Sequence, residues 1–135
     1  MVRLTRSIDF SASLRYRQGD RTPAENEQLY GPAARTHGHN YRLEVTLRGE
    51  VDPATGMVFD LADLREILER EVMGRFDHRD LNADTPYFEK DAPTPENFAG
   101  VIRALLLDAL PAGLLDRVTL HQDADLTVEI TEGPA

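Results

Sequence analysis

Residues 37–50 read HGHNYRLEVTLRGE, and this stretch decides the fold because its apolar and polar side chains alternate. Such alternation is typical of a half-buried β-strand, in which every second side chain lies on the same face. The apolar side chains hold odd positions, at Tyr41, Leu43, Val45 and Leu47. His37 and His39 hold odd positions too, so they continue the apolar face. We therefore predict a strand over residues 39–50 and expect His37 and His39 to lie on the same face as its buried side chains.

The flanking sequence predicts three more strands and two helices. Alternation indicates strands over residues 2–14, 117–123 and 126–131. Between the second and third strands, Asp60 is a helix N-cap with Gly74 as the stop, and Thr94 caps a second helix that Pro111 ends. The order ββααββ predicts an α+β fold: a four-stranded antiparallel sheet with two helices on one face. The open edges of such a sheet invite pairing with other copies of the chain.

Two polar stretches connect these elements, over residues 17–36 and 76–93. Loops of this length inside a compact domain are often functional. Composition alone favours the other interpretation, a mobile surface insertion, for the first of them. Glu25 and Glu27 lie in that stretch and are candidates to supply a metal ligand.

Composition narrows the function classes. The chain has 135 residues, a formal charge of −9 and no cysteine. That length predicts a single domain over residues 1–135. The acidic balance argues against nucleic acid or an anionic membrane as a partner, and the missing cysteines exclude thiolate ligands and thiol nucleophiles. With no apolar run long enough to span a bilayer and no signal-peptide core, a cytoplasmic location is the default expectation.

Four sites carry residues with chemical potential, although each has an ordinary structural explanation. His37 and His39 can hold one metal ion, but a bare H-x-H more often marks two half-buried histidines. In the Asp77–His78 pair a carboxylate can orient an imidazole as a proton shuttle, whereas a solvated loop pair is the simpler interpretation. The segment 94–97 reads as helix initiation. Of His121 and Gln122, one must face inward and the other outward.

Taken together, these segments resemble the 6-pyruvoyltetrahydropterin synthase and 6-carboxytetrahydropterin synthase family. The matching segments are FSAS at 10–13, HGHNY at 37–41, GMVFDLADL at 56–64, DHRDLN at 77–82 and PTPENFA at 93–99. They occur in the family's order over essentially the whole chain. The resemblance implies the tunnelling fold, in which trimeric barrels, usually stacked as hexamers, carry active sites between subunits. It also implies a lyase of the biopterin or queuosine pathways that acts on 7,8-dihydroneopterin triphosphate with zinc and no organic cofactor.

Carried over residue by residue, the resemblance assigns two zinc ligands, an acid/base pair and a pocket edge. His37 and His39 match two of the three zinc ligands. Asp77 and His78 match the proton-shuttle pair. Thr94 and Glu96 match the motif at the edge of the substrate pocket.

Three positions depart from the family pattern. The third zinc ligand should follow Phe10 by four residues, where this chain has Leu14. The bacterial-type catalytic cysteine should stand at Ala33. The glutamate that anchors the pterin is replaced by Gln122. An amide offers one acceptor and one donor where a carboxylate offers two acceptors, so a pterin edge with two donors would be mispaired.

Three functions remain open at this point. The first is a divergent pterin synthase with altered side-chain chemistry. The second is a non-catalytic, pterin-binding paralogue, and the third is a tunnelling-fold enzyme for another heterocycle whose edge suits Gln122. For the protein as a whole we expect a pterin-like small-molecule ligand, a homo-oligomer (trimer or hexamer), and a degraded metal site with little or no zinc.

Overall fold

The computed structural model describes residues 1–131 and contains one five-stranded sheet. Its strands run in the order β3-β1-β2-β4-β5. The strands are β1 (Val2–Leu14), β2 (His37–Gly49), β3 (Arg79–Asp80), β4 (Leu115–Gln122) and β5 (Leu126–Thr131). All neighbours are antiparallel except the short β3, which runs parallel to the end of β1. The α+β prediction with four antiparallel strands is confirmed, and β3 is an addition that the sequence did not reveal.

Helices cover one face of the sheet. They are α1 (Pro23–Tyr30), α2 (Leu61–Leu68), the short α3 (Gly74–Phe76) and α4 (Pro95–Ala109), with a 3₁₀ turn at Gly31–Ala34. The predicted N-caps are confirmed: Asp60 accepts from the backbone N–H of Ala62 at 2.8 Å and Thr94 accepts from that of Asn97 at 3.2 Å. No helix within residues 1–131 combines the length and the apolar character that a bilayer crossing requires.

The prediction that Gly74 ends the first helix is wrong. The helix continues through a π-helical turn at Glu69–Met73 into α3, and Gly74 has an ordinary right-handed φ of −64°. Burial explains the extension, since Phe76 at its end is fully buried and packs edge-on against Phe98 of α4. The helix therefore ends where its last aromatic side chain reaches the core.

The stretch 17–36, expected to be a loop, contains α1 and the 3₁₀ turn. A capping box starts α1: the Thr22 hydroxyl accepts from the Glu25 N–H, and the Glu25 carboxylate accepts from the Thr22 N–H at 2.9 Å. Two reciprocal bonds satisfy donors that a helix start otherwise leaves open. This local signature, TPAE, was present in the sequence and was missed.

The register between strands positions the candidate site. Leu14 lies opposite His37, Ala12 opposite His39, and Phe10 opposite Tyr41. On the other side of β2, Gln122 lies opposite Tyr41. Directly opposed residues point to the same face of a sheet. All these side chains therefore lie on the helix-covered face, at the end of the sheet where the apolar core meets polar residues.

Candidate functional site

The two histidines of β2 lie edge to face, with ring centroids 5.0 Å apart. His37 packs against Tyr16 at 5.9 Å and His39 against Tyr41 at 6.0 Å. The rings thus form an aromatic row along the covered face. The prediction that His37 and His39 share that face is confirmed by the strand register.

Hydrogen bonds fix the tautomer of both imidazoles. His37 Nδ1 lies 2.8 Å from the carbonyl oxygen of Arg35, and His39 Nδ1 lies 2.7 Å from Oδ2 of Asp123. Carbonyl and carboxylate oxygens only accept, so each Nδ1 carries the hydrogen and each neutral ring keeps a lone pair on Nε2. Asp123 also accepts from the Asn40 N–H at 3.1 Å. These contacts hold the two rings as lone-pair donors, as partners of metal-ligating histidines commonly do.

A third imidazole does not complete this pair. The residue opposite His37 is Leu14, which is 0% exposed and packed in the apolar core. Within residues 1–131, no three His, Cys, Asp or Glu side chains are grouped so that they can hold one metal ion. The donor set therefore does not fit the three-imidazole zinc site that the resemblance implies.

Neither candidate substitute ligand in the 17–36 stretch points to this site. Glu25 is engaged in the capping box of α1. Glu27 pairs with Arg35 across the helix end, at 2.8 Å between Oε1 and Nη2. The idea that Glu25 or Glu27 supplies a ligand is therefore wrong for this structure, because local contacts already bind both carboxylates.

The Asp77–His78 pair forms a carboxylate–imidazole dyad at the edge of the sheet. Asp77 Oδ1 lies 2.9 Å from Nδ1 of His78 and accepts from the Ser11 N–H at 3.1 Å. His78 adopts a left-handed φ of 58° and donates its own N–H to the Ser11 carbonyl at 2.7 Å. The backbone of β1 thus holds both residues, while the His78 side chain is 83% exposed. Its Nε2 is free to exchange a proton with a bound molecule.

One cleft is lined by a histidine from each motif. His39, His78 and Asp123 all line a cleft of about 540 Å³ between β1, β2 and the β3 segment. Asp77, His78 and Asp123 also border a larger cleft of about 820 Å³. His37 lines neither of these clefts. Of the histidines that the sequence singled out, His39 and His78 thus line the same cleft in a single copy of the chain.

Gln122 faces inward and His121 outward, which settles the ambiguity in the sequence. His121 Nε2 lies 2.5 Å from Oε1 of Glu44 on the uncovered face of the sheet. The side-chain carbonyl oxygen Oε1 of Gln122 is buried and makes no hydrogen bond with the described residues. The hydroxyl of Tyr41, opposite Gln122, is also buried without a partner. Burial, with smaller contributions from Tyr16 and Asp123, raises the pKa of the Tyr41 hydroxyl well above its usual value.

Tyr16 lies in the connection between β1 and α1 and packs against His37 at one side of the site. Its backbone N–H donates to the Ala33 carbonyl at 2.8 Å, so the Tyr16 backbone lies beside the position where the resemblance places a cysteine. Burial, followed by the charge of Glu96 and then Tyr30, raises the pKa of the Tyr16 hydroxyl. Glu96 itself lies in the first turn of α4.

Thr94 has a structural role that its sequence context explains. Its hydroxyl caps α4, and the residue lines a separate cleft of about 270 Å³ together with Gln18 and Tyr30. Thr94 does not line either of the clefts that contain His78.

Sequence reasoning missed Tyr16, Tyr41 and Asp123 as members of the site. Tyr41 was assigned to the apolar face, and the odd-position pattern that placed His37 and His39 also applies to it. Asp123 follows β4 directly and adopts a left-handed φ of 53°, which turns its carboxylate toward His39. No local pattern marks that turn, because the contact joins residues 84 positions apart.

Comparisons with known proteins agree on one family. The sequence model described as 6-pyruvoyl tetrahydropterin synthase matches residues 3–133. A 6-pyruvoyl tetrahydrobiopterin synthase of Pongo abelii is 43% identical over 123 residues, which cover 90% of this chain and 85% of that protein. A putative 6-carboxy-5,6,7,8-tetrahydropterin synthase of Archaeoglobus fulgidus is 41% identical over 97 residues, covering 71% of this chain and 76% of that protein.

A solved structure shows the same similarity in three dimensions. The 6-pyruvoyl tetrahydropterin synthase of Caenorhabditis elegans superposes with a TM-score of 0.90 at 33% sequence identity. The superposition covers 98% of this chain and 96% of that one.

Proposed function

Because the chain belongs to the 6-pyruvoyl tetrahydropterin synthase family, we propose that it binds a pteridine and has lost the family's metal-dependent synthase reaction. The observation that carries this proposal is the burial of Leu14 directly opposite His37. An isobutyl side chain fills the place of the third imidazole and offers no lone pair. Two imidazoles alone make a weak, open site compared with the three protein ligands typical of catalytic zinc.

The missing base supports the same conclusion. The chain contains no cysteine, and Ala33 occupies the position of the thiol. General-base groups typically contribute about 10²- to 10⁴-fold to a rate. Asp77 and His78 keep a geometry suited to proton transfer, but they lack a partner that starts the reaction. We therefore expect a bound pteridine to remain unconverted.

The exposed dyad favours a second candidate, an enzyme that acts on another heterocycle. His78 Nε2 is free, and its ring is oriented by Asp77 at 2.9 Å. Such a dyad can act as general acid or base without a metal. This candidate requires a substrate whose reaction needs one proton transfer and no Lewis acid.

We also propose that the protein is a homo-oligomer, a trimer or a stack of two trimers. β5 is an edge strand, and β3 covers β1 only at Ala12 and Ser13. Backbone groups along both edges are therefore open to pairing with another copy. Closing three sheets into a barrel would bring the exposed His78 close to a neighbouring subunit. Light scattering that finds a stable monomer at micromolar concentration contradicts this proposal.

The decisive experiment compares turnover with binding in one preparation. Product formation from 7,8-dihydroneopterin triphosphate is measured beside a family member that carries all three histidines and the cysteine. We expect pteridine binding, seen as a change in pteridine fluorescence, without detectable product. Activity within tenfold of the complete enzyme overturns the proposal.

The variant that combines Ala33→Cys, Leu14→His and Gln122→Glu supplies the converse test. Partial recovery of product formation supports a family scaffold from which the original chemistry was removed. Turnover of other heterocycles that depends on His78 favours the second candidate.

A further inference from the structure

Two residues paired between β2 and β4 each carry a buried polar atom with no hydrogen-bond partner. The atoms are the hydroxyl of Tyr41 and the side-chain carbonyl oxygen of Gln122, and within residues 1–131 they are the buried side-chain polar atoms left unpaired. Tyr41 is 2% exposed. The two residues are directly paired in the strand register, so both side chains lie on the covered face. Buried polar groups are nearly always paired in folded proteins, and an unpaired one requires an explanation.

The carboxylate near Tyr41 already accepts two other hydrogen bonds. Asp123 is the nearby carboxylate that acts on Tyr41, and its two oxygens accept from His39 Nδ1 and from the Asn40 N–H. The ring of Tyr41 is fixed by contacts with Phe10 at 5.2 Å and Phe98 at 5.2 Å. The hydroxyl therefore cannot swing toward another acceptor without disturbing the core. The unpaired atoms are held in place by packing.

The two atoms have complementary hydrogen-bonding roles. A phenol carries its hydrogen at neutral pH, so Tyr41 presents an O–H donor. Gln122 presents a carbonyl acceptor. A ligand that satisfies both must offer an acceptor and an N–H donor on adjacent atoms. The lactam edge of a 4-oxopyrimidine ring, with N3–H beside C4=O, has this arrangement.

We infer that Tyr41 and Gln122 together bind the lactam edge of a 4-oxopteridine, with the Tyr41 hydroxyl donating to the C4 carbonyl and the Gln122 carbonyl oxygen accepting from N3–H. This inference rests on the proposed function, since it assumes that a pteridine occupies the covered side of the sheet. It names Tyr41 as a residue that determines specificity. It also predicts a ligand class wider than 2-amino pterins.

A carboxylate at position 122 would impose the opposite preference. Two acceptor oxygens match two neighbouring donors, namely N3–H and a 2-amino group, and repel a carbonyl at C2. The amide of Gln122 does not repel that carbonyl. The change from carboxylate to amide thus shifts recognition from the amino side of the ring to the 4-oxo side.

Three fluorescent probes separate these alternatives: pterin (2-amino-4-oxo), lumazine (2,4-dioxo) and 2,4-diaminopteridine. We expect lumazine to bind the wild-type protein at least as tightly as pterin. We expect 2,4-diaminopteridine to bind about tenfold or more weakly, because it reverses the donor and acceptor at N3 and C4. If the Tyr41 hydroxyl accepted a hydrogen bond from the 4-amino group of this probe, the hydroxyl's own hydrogen would still lack an acceptor.

Two variants test the residues separately. Tyr41→Phe should weaken the binding of pterin and of lumazine by about tenfold. It should leave the binding of 2,4-diaminopteridine unchanged, because only the first two probes accept a hydrogen bond from the hydroxyl. Gln122→Glu should make pterin bind at least about tenfold more tightly than lumazine. The control is Tyr87→Phe, which removes a hydroxyl that accepts from Arg75 Nη1 at 3.0 Å outside the site. It should leave all three affinities unchanged.

Thermal unfolding without ligand distinguishes a binding role from a structural one. Tyr41→Phe removes an unpaired buried hydroxyl, so its melting temperature should equal or exceed that of the wild type. A marked fall in melting temperature would show that the hydroxyl supports the fold and would overturn the inference. If no probe binds, both the proposed function and the inference are overturned. If the probes bind without discrimination at C4, or if Tyr41→Phe binds as the wild type does, the inference fails and the proposed function stands.

Discussion

The candidate site has a buried half and an exposed half, and they differ in how much of the implied chemistry they keep. The buried half comprises Leu14, His37, His39, Tyr41 and Gln122, and the exposed half comprises Asp77 and His78. In the buried half, a leucine lies where the family resemblance places a metal ligand, and two polar atoms lack partners. In the exposed half the carboxylate and the imidazole lie 2.9 Å apart and are anchored to the Ser11 backbone.

The difference shows that burial decides what a substitution does to a site. A buried polar group without a partner destabilises the folded protein. Replacing a buried imidazole by leucine therefore stabilises the fold, but it removes a metal ligand. An exposed dyad contributes little to stability and is free to serve function alone. The loss of the metal site that we propose is thus compatible with a retained dyad in one structure.

The largest expected effect comes from Leu14→His, which restores the third imidazole of the buried half. Without metal, the variant should lose about 2–3 kcal/mol of unfolding free energy, because it buries a polar ring among apolar side chains. With zinc, affinity should rise by at least about 100-fold over the wild type, which should hold well under one zinc per chain after dialysis. Denaturant unfolding with and without zinc, together with elemental analysis, measures both effects.

Leu14→Ile is the matched control, since it keeps the volume and adds no ligand. It should cost less than about 1.5 kcal/mol and should not respond to zinc. Tightly held stoichiometric zinc in the wild-type protein would contradict the comparison between the two halves.

A second large effect is expected at Gly19, which holds the segment that carries Tyr16 against the loop before α4. The Gly19 N–H donates to the Lys90 carbonyl at 2.9 Å, and a Cβ at this position would lie 2.1 Å from the Glu89 carbonyl oxygen. Gly19→Ala should therefore destabilise the protein by about 2–3 kcal/mol.

Gly100→Ala is the control, because a Cβ at Gly100 in α4 meets nothing within 4 Å. A helix-interior alanine should stabilise by about 0.5–1 kcal/mol. Unfolding midpoints of the two variants should move in opposite directions, and a shift of the same sign in both would contradict the close contact at Gly19.

A smaller, pH-dependent effect is expected at Asp123 in the link between the two halves. The hydrogen bond from His39, and then that from the Asn40 N–H, lowers the pKa of Asp123 from its ordinary 3.8. A lowered folded-state pKa means that the ionised carboxylate stabilises the fold above pH 3.8 and that this stabilisation disappears as the pH falls through the lower value. Asp123→Asn should thus be less stable than the wild type at neutral pH, with the gap closing in acid. Urea unfolding across the acid range measures the gap, and a gap that does not change with pH would refute the assignment.

The smallest effect is expected at His78 of the exposed half. His78→Asn should change the unfolding free energy by less than about 0.5 kcal/mol, because an exposed ion pair contributes about 0–1 kcal/mol. Asparagine also tolerates the left-handed φ of 58° at this position. Equilibrium unfolding measures the change, and a loss of several kcal/mol would show that the dyad is structural.

Sequence periodicity predicted most of the fold and part of the site. Alternation located the long strands and placed His37 and His39 on the covered face, and cap residues located the starts of α2 and α4. β3 escaped prediction because two residues are too few to show a period. The end of α3 was misplaced because burial of Phe76, a tertiary contact, outweighed the glycine signal at Gly74.

The sequence by itself determined which chemical groups the protein has: two histidines on a strand face, an Asp–His pair, no thiol, and a leucine and a glutamine in place of a histidine and a glutamate. The groups follow from residue identity and spacing along the chain, and the two replacements follow from the family resemblance. Only the tertiary structure decided that Leu14 is buried against His37, that Asp123 fixes the tautomer of His39, and that Tyr41 and Gln122 are left without partners. The reason is physical: burial and hydrogen-bond partnership depend on residues brought together from distant strands, and no local pattern encodes them.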